Sequence, residues 1–573
     1  MKNREIAELL TKMGTLLEIR GDLVFKVRAY YKAAENINAL AEDIAVVEQE
    51  NRLADIPGVG KTMQEKIKEF LETGSLSSYE KLIKDVPETV LDVIHIPSVG
   101  PKKAKLFFDE LKVKDIPSLK KAAESGKLLD LPGIKEKTVT NILDGIKIVE
   151  QGQQRMNLGK ASRVAETFIE ELKKLKAVKQ INPAGSLRRG RETIRDIDLL
   201  IDSKDPKAIM DVFVHLPQVK SINAYGDTKS SILTTDNVQV DLRVVDTKSY
   251  GAALLYFTGS KNFNIKLRQA AIKKGMKINE YGVFKVNDRK EQCVASKTEK
   301  ECLEAFDLPY VPPELREDIG EKDIFSGKKL PELIELKDLK GDFHVHSTWS
   351  DGKNSIEEMA EAARQRGFSY LAISDHSQKL RIARGVSPED LKKKKKEIDA
   401  LNKKYSNFRI LFGTELEIDA EGNLDYNDKI LSEFDIVIAS IHTGFEQGSK
   451  TLTKRLMRAM QSKYVNIIAH PMGGHIGKRE PYEVDFKAVC QAAVDHNVFL
   501  EINAFPVRLD LNSQNVYYAR SQGVKFTINT DSHNVSHMDY MKLGVSIARR
   551  GWLTKKDVLN TQTLAQVMKS IKK

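Results

Sequence analysis

Cysteine is scarce: Cys293, Cys302 and Cys490 are the only three in 573 residues, and no two of them form a CxxC pair. Three thiols make no even framework, so we expect no structural disulfide and a reducing compartment, the cytoplasm. Long apolar runs are missing too. None approaches the roughly 18 residues of a membrane span, and Met1 to Leu10 patterns as an amphipathic helix without an apolar signal core. Secretion and membrane insertion are therefore not expected. What is present is a hydrophobic fraction of 41%, on a chain long enough for three or four domains, with a net charge of +11 and a pI near 9.1. That charge suits a polyanionic ligand, without choosing among DNA, RNA and an anionic membrane.

The most informative stretch runs from Gly185 to Leu200, GSLRRGRETIRDIDLL. Ile194, Ile197, Leu199, Leu200 and Ile201 read as a buried strand, so Asp196 and Asp198, two positions apart, point to one face. One divalent ion can touch both. A second apolar strand, Val238 to Val245, offers Asp241 as a third acid for a two-metal clamp on phosphoryl transfer. Ahead of them, Gly185 and Ser186 allow close backbone approach to a triphosphate, and Arg188, Arg189 and Arg195 supply countercharge. An isolated Asp-x-Asp is usually a solvated strand edge. The turn, the arginines and the third acid together favour catalysis, and their order resembles the nucleotidyltransferase superfamily.

Residues 1 to about 150 read as short helices broken by three related turns, Ile56-Pro-Gly-Val-Gly60, Ile96-Pro-Ser-Val-Gly100 and Leu131-Pro-Gly-Ile134. Gly58 and Gly60 let the backbone turn tightly while the following helix, opening at Lys61, points its first amides at a phosphate. Gly100 and Lys102 repeat the arrangement; the third copy has Lys135 where a second glycine would stand. Repetition favours helix-hairpin-helix DNA binding over a plain packing unit. Such turns read backbone charge rather than sequence.

Nine of the eleven histidines lie after residue 340. Seven strand-like runs can be read there, at 339–346, 368–376, 409–417, 434–442, 464–470, 498–503 and 525–533, with helix-like segments between most of them. One such helix starts at Ser387 as N-cap with Pro388 at its first position. This alternation predicts a β/α barrel. Six of the seven runs end in metal-ligand residue types: His344 and His346 with Asp351 just beyond, then His376, Glu415, His442 and His470, then Asp531 and His533. Parallel barrel strands converge at one end, so these nine should meet in one cleft. Nitrogen and oxygen ligands without cysteine suit two or three ions such as Mn²⁺ or Zn²⁺. His475, His496 and His537 are expected to be structural. The Lys392–Lys396 run is expected to be a solvated helix face, with a rail for DNA as the alternative, and Arg381, Arg384 and Lys478 are candidate phosphate contacts in nearby loops.

Tyr256-Phe-Thr-Gly-Ser-Lys-Asn-Phe-Asn264, followed by Arg268, resembles the start of the thumb in family X DNA polymerases, the polymerase beta relatives. The resemblance implies that Asp196 and Asp198 hold both metals, Mg²⁺ or Mn²⁺, and that Asp241 holds the catalytic one and serves as, or lies near, the base for the primer hydroxyl. It implies triphosphate contacts from Ser186, Arg189 and Arg195, a deoxyribose pocket of Tyr256, Phe257 and the Gly259 turn, a minor-groove contact from Asn264 and a template contact from Arg268. Lys261 departs from the pattern, which has an acidic residue there. Around Lys66 the first hairpin also resembles the polymerase beta lyase domain, where a lysine forms a Schiff base; a plain phosphate-contacting lysine is the reading favoured over it. The late motifs Asp-Phe-His-Val-His-Ser, Ser-Asp-His, Gly-Thr-Glu, Ser-Ile-His, Ala-His-Pro and Thr-Asp-Ser-His resemble the polymerase and histidinol phosphatase (PHP) domain, with all nine ligand positions filled.

The chain is thus identified as a bacterial or archaeal-type family X polymerase with a C-terminal PHP domain. The expected architecture is multidomain: residues 1–90 an N-terminal helical domain with a helix-hairpin-helix, 91–150 a fingers-like helical region with a second, 151–255 an α/β nucleotidyltransferase palm, 256–312 a small α+β thumb, 313–337 a linker and 338–573 a distorted (β/α)7 PHP barrel. The resemblance implies filling of short gaps in DNA repair, with 3′-5′ exonuclease and abasic-site phosphodiesterase activity at the second site. Expected partners are gapped or primer-template DNA and dNTPs, with no membrane, for a monomer in the cytoplasm, nucleoid-associated when bound to DNA. The rival readings give the second site a small phosphate monoester, or make the chain a DNA-end scaffold.

Overall fold

The computed structural model describes residues 2–571 apart from 39, 41, 42, 95, 97, 98, 153, 154, 288, 289, 318 and 327. They form two compact units, Met1–Gln154 with Ile265–Gly275, and Arg155–Asn264 with Met276–Lys573. No helix among the described residues is long and apolar enough to cross a membrane.

In the first unit the three turns share one internal bond: Val59 N donates to Ile56 O (3.0 Å), Val99 N to Ile96 O (2.9 Å) and Ile134 N to Leu131 O (3.2 Å). The flanking apolar residues Ile56, Val59, Ile96, Val99, Leu131 and Ile134 are buried, which anchors each turn. Gly58 and Gly133 take φ of 87° and 78°, a region costly for other residues. The helices Lys61–Thr73, Pro101–Leu111 and Glu136–Gly152 follow the turns. Pro97 and Ser98 of the second turn lie outside the described residues.

In the second unit the palm is a five-stranded sheet in the order Gln180–Pro183, Asp196–Asp202, Gln239–Val245, Lys229–Thr234, Val219–Tyr225. Only the pair Asp196–Asp202 and Gln239–Val245 is parallel. Helices Leu158–Lys173 and Pro206–Val214 pack together through Phe168 and Phe213, whose rings lie 5.7 Å apart. In the strand Asp196–Asp202 the aliphatic positions Ile197, Leu199 and Ile201 face this core, so period-2 alternation leaves Asp196 and Asp198 on the other face. The antiparallel strands Met276–Asn279, Gly282–Asn287 and Lys290–Ala295 follow.

The stretch expected to be a linker is packed instead. Arg316 is fully buried, with Nη1 on Glu299 (2.6 Å) and Nε and Nη2 on the Val311 carbonyl, and Leu315, Ile324 and Ile334 are core residues.

Beyond it, seven parallel strands run in chain order: Gly341–Val345, Tyr370–Ile373, Arg409–Glu417, Ile436–Ser440, Ile467–Ile468, Phe499–Asn503 and Phe526–Asn529. The bridge from Val345 to Ser532 nearly closes them into a barrel. Each strand falls within one of the seven apolar runs. Helix Pro388–Asn402 starts as expected, with the Ser387 side chain accepting from Asp390 N. Lys392, Lys393 and Lys396 of its lysine run are solvated as expected, but Lys394 is fully buried, pairs with Asp375 at 2.9 Å and donates to the carbonyls of Ile373 and Gly413. Position 394 is one turn after buried Leu391 and one before Ile398, so helical periodicity turns it inward.

Candidate active sites

The parallel register sets Asp198 directly beside Asp241, with Asp196 on the same face one pleat earlier. Ser231 Oγ (2.6 Å) and Gln239 Nε2 (2.9 Å) both donate to Asp241 Oδ1, which fixes that carboxylate and leaves Oδ2 for a ligand. Burial, then the charges of Asp196 and Asp241, raise the Asp198 carboxyl to about 7. Three acids crowded in this way are relieved by a cation, so the donor set fits divalent ions.

Gly185, at φ 56°, opens a short turn of helix, Gly185–Arg188. A Cβ on it would stand 2.1 Å from Asp198 Oδ2, so the glycine makes room for the acid itself. Ser186 follows, half-buried. Arg188 corrects the countercharge expectation: it binds Glu299 through two nitrogens at 2.7 Å each and Thr258 Oγ1 at 2.7 Å. Arg189 Nε reaches Glu317 (2.7 Å) and its Nη1 the Thr258 carbonyl (2.6 Å). Arg195 is exposed, with Nη2 3.2 Å from Asp196. Asn264 Nδ2 donates to the Tyr256 carbonyl (2.7 Å), and the Tyr256 and Phe257 rings meet edge-on at 5.1 Å. A small cavity is lined by Ala184, Asp198, Lys229, Asp241, Arg243 and Phe257 among others. Lys229 and Arg243 escaped the sequence reading: each is a lone cation on a strand, aligned only by the pairing of Lys229 with Arg243.

In the barrel the nine residues cluster, with Glu415 among five of the six histidines. Its carboxylate lies near His344 Nε2 (3.2 Å), His346 Nε2 (3.4 Å), His376 Nδ1 (3.0 Å), His442 Nε2 (3.2 Å) and His470 Nε2 (2.9 Å). Asp531 Oδ1 is 3.3 Å from His346 Nε2, and Asp351 Oδ2 is 3.5 Å from His533 Nε2. Among the described residues three groups of side chains could each hold an ion: His346, Asp351, His376 and His533; His344, His346 and Asp531; His376, Glu415 and His442. Buried imidazole nitrogens without a hydrogen-bond partner, His344 Nε2, both nitrogens of His346 and His376 Nδ1, are what such ions would satisfy.

Surrounding residues orient these ligands. Glu501 Oε1 accepts from His344 Nδ1 (2.8 Å), leaving Nε2 for a metal, and Glu417 Oε2 does the same for His442 Nδ1 (2.7 Å). Burial opposes charge on His442, but Glu415 and Glu417 together outweigh it and bring the ring to about 9. Burial, aided by His533 and His376, lowers His346 to about 4. Asp531 and Glu415 stay well below the carboxylate range despite burial, because imidazoles surround them. Glu501, a single acid in the apolar run Val498 to Asn503, was legible in principle. Arg508 was not; its Nε lies 3.3 Å from Asp531 Oδ2. Arg381, Arg384 and Lys478 are exposed. His537 pairs with Asn534 (2.8 Å), whereas His475 Nδ1 is buried without a partner.

In the first unit Gly58, Gly60, Lys61, Gly100 and Lys102 are exposed. Lys66 Nζ donates to Ser78 Oγ (2.7 Å), and burial lowers its pKa. Arg268 lies on the helix Lys261–Lys273, in the stretch that joins this unit.

A palm with paired acids and a histidine-lined parallel barrel define a polymerase-type nucleotidyltransferase joined to a PHP metal-dependent hydrolase-type domain. Family models match a helix-hairpin-helix domain at residues 1–76, a SAM-like helix-hairpin-helix tandem at 90–147, the DNA polymerase beta thumb at 253–317 and the PHP domain at 342–504. The chain is 42% identical to the DNA polymerase/3′-5′ exonuclease PolX of Bacillus subtilis (strain 168), over 100% of both chains, and so belongs to the PolX family of family X DNA polymerases. It is 27% identical to DNA polymerase lambda of Rattus norvegicus over 55% of this chain and 56% of that one. A "Probable phosphatase" of Thermoanaerobacter sp. (strain X514) is 31% identical over 38% of this chain and 89% of its own.

Proposed function

We propose that the chain fills short gaps in DNA by template-directed nucleotide addition at Asp196, Asp198 and Asp241, and trims 3′ ends at the barrel site. The observation that carries this reading is the register of Asp198 with Asp241 beside Asp196, in the same chain as eight convergent nitrogen and oxygen ligands with His470 2.9 Å from one of them, Glu415.

The three acids would hold Mg²⁺ or Mn²⁺, which when bound would supply Lewis-acid stabilisation of the phosphoryl group. Asp241, held by Ser231 and Gln239, presents Oδ2 as the acceptor for the primer hydroxyl proton. Ser186, Arg189 and Arg195 bind the triphosphate, and Tyr256, Phe257 and the Gly259 turn hold the sugar. Asn264 reads the minor-groove edge of the incoming base. Arg268 contacts the template, and the hairpins at Gly58, Gly60, Lys61, Gly100 and Lys102 grip the duplex backbone.

At the second site two or three Mn²⁺ or Zn²⁺ ions would sit on His344, His346, Asp351, His376, Glu415, His442, His470, Asp531 and His533, supplying a nucleophile from water and a clamp for the phosphodiester. Glu501 and Glu417 hold His344 and His442 in the ligating tautomer, and Arg508 offers a cation to the substrate phosphate. Lys66, whose partial desolvation lowers its pKa, would supply the amine for Schiff-base chemistry on an abasic sugar; borohydride trapping of an abasic-site complex that survives Lys66→Ala would refute that role.

The test is extension and degradation of a gapped primer with Mn²⁺, with and without dNTPs. Asp196→Ala with Asp198→Ala should stop extension alone, and His344→Ala with His346→Ala should stop trimming alone. Extension that survives loss of the two acids would sink the metal assignment. The phosphatase relative supports a second reading, hydrolysis of small monoesters. Phosphate release from such esters with primer ends left intact would favour it.

A further inference from the structure

The barrel domain is built into the palm. Helix Met541–Arg550 is seated on the barrel strands at Gly544, where a Cβ would stand 2.6 Å from Ile528 Cγ2 and 2.8 Å from Ala504 Cβ. Its other side meets the segment that follows Ser186. Gly190, at φ 65°, packs so closely on Ser546 that a Cβ would lie 1.9 Å from Ser546 Oγ. In the last turn of the helix, Arg550, only 4% exposed, donates through Nη1 to the Arg189 carbonyl (2.9 Å) and to Glu317 Oε1 (3.1 Å). That same Glu317 oxygen receives Arg189 Nε at 2.7 Å. Arg550 Nη2 lies 3.8 Å from Glu192, whose other oxygen accepts the backbone N–H of Ser513 (2.8 Å). The Arg189 backbone is thus held directly, and its guanidinium through the shared Glu317, by a residue more than three hundred positions away.

We propose that Arg550 is a positioning residue for nucleotide binding, and that the helix Met541–Arg550 buttresses the turn carrying Ser186 and Arg189. This rests on the reading of that turn as a triphosphate contact. A substrate phosphate that must meet a side chain fixed in advance gains affinity from that fixing. Removal of Arg550 leaves the Arg189 carbonyl without its donor and Glu317 with one cation in place of two. The turn then has to be ordered by the nucleotide itself. The effect falls on dNTP affinity, because Arg550 touches neither the acids nor the reacting atoms.

The experiment measures KM for dNTP and kcat on gapped DNA with the full chain, and 3′ trimming of single-stranded DNA without dNTPs as a second readout. Arg550→Ala should raise KM about tenfold, as expected for loss of charge-assisted hydrogen bonds, with kcat held within about twofold. Arg550→Lys should fall between, since one ammonium replaces a forked pair of contacts, and trimming should be unchanged in both. An Arg550→Ala chain that trims normally and keeps its KM, or that loses kcat instead, overturns the proposal. Where Arg550→Ala loses both activities, Ser546→Leu decides by the same criteria, because it presses on Gly190 without a change of charge. Ser186→Ala and Arg189→Ala, run in parallel, separate the two claims. If neither raises KM, the triphosphate reading of the turn is wrong. If they do and the helix variants do not, only the buttress is wrong.

Discussion

Glu501→Gln removes one charge from a fully buried carboxylate that takes four hydrogen bonds. Oε1 accepts from His344 Nδ1 (2.8 Å) and Asn529 Nδ2 (2.9 Å); Oε2 accepts from His470 N (2.8 Å) and Asn503 Nδ2 (3.1 Å). An amide keeps only one oxygen, so in either orientation its NH₂ faces two donors. If the nitrogen faces His344, that ring loses the partner that sets its tautomer. If it faces His470 N, the backbone of another ligand is displaced. Each buried donor left unpaired costs about 1–3 kcal/mol, and loss of a residue that orients a ligand lowers metal affinity about 10–100-fold. We expect the Mn²⁺ concentration for half-maximal 3′ trimming to rise within that range while gap filling keeps its metal dependence. The assay is a Mn²⁺ titration of both reactions on one preparation, started from metal-stripped protein. An unchanged titration of trimming would refute the assignment of Glu501 as the group that holds His344.

Gly185→Ala should abolish gap filling and spare trimming, because its Cβ would occupy space 2.1 Å from Asp198 Oδ2; a primer-extension assay beside a trimming assay checks this. Lys394→Met should destabilise the chain by about 3–5 kcal/mol, the usual result of stranding one buried charge. Here the stranded charge is Asp375, and a clear downward shift of the urea midpoint is the readout. For Glu299, burial favours the neutral form, but Arg188 and Arg316 outweigh it and bring the carboxyl down to about 2. A depressed folded value means stability that is fully present above the unfolded value, near 4.3, and lost as pH falls through the folded one. The stability gap between wild type and Glu299→Gln, about 3 kcal/mol near neutrality, should therefore close between roughly pH 4.3 and pH 2. A gap that stays constant across that window contradicts it.

Much of the second unit is legible because its chemistry sits at strand ends. A parallel barrel buries each strand on both faces, so its strands read as unbroken apolar runs, and every ligand type follows such a run or sits near its end. The acids of the palm follow from alternation within one strand. Less legible are residues whose partners are distant in sequence. Arg188 reads as free countercharge because nothing local reveals Glu299. Lys394 is hidden in a run of five lysines, where composition suggests solvent and only helical periodicity selects the inward one. Arg508 sits in a loop, and no pattern marks a loop cation as the neighbour of a metal ligand. The packed segment around Arg316 reads as a linker because proline and charge mark irregular backbone, and irregular backbone can still be buried when its charge is paired.

The central claim is that two independent groups of side chains run opposite reactions in one chain. Its most direct test is extension and trimming of one labelled gapped substrate by Asp241→Ala and by the His344→Ala, His346→Ala pair. The account predicts that Asp241→Ala trims without extending and that the histidine pair extends without trimming. Loss of both reactions from either folded variant would contradict it.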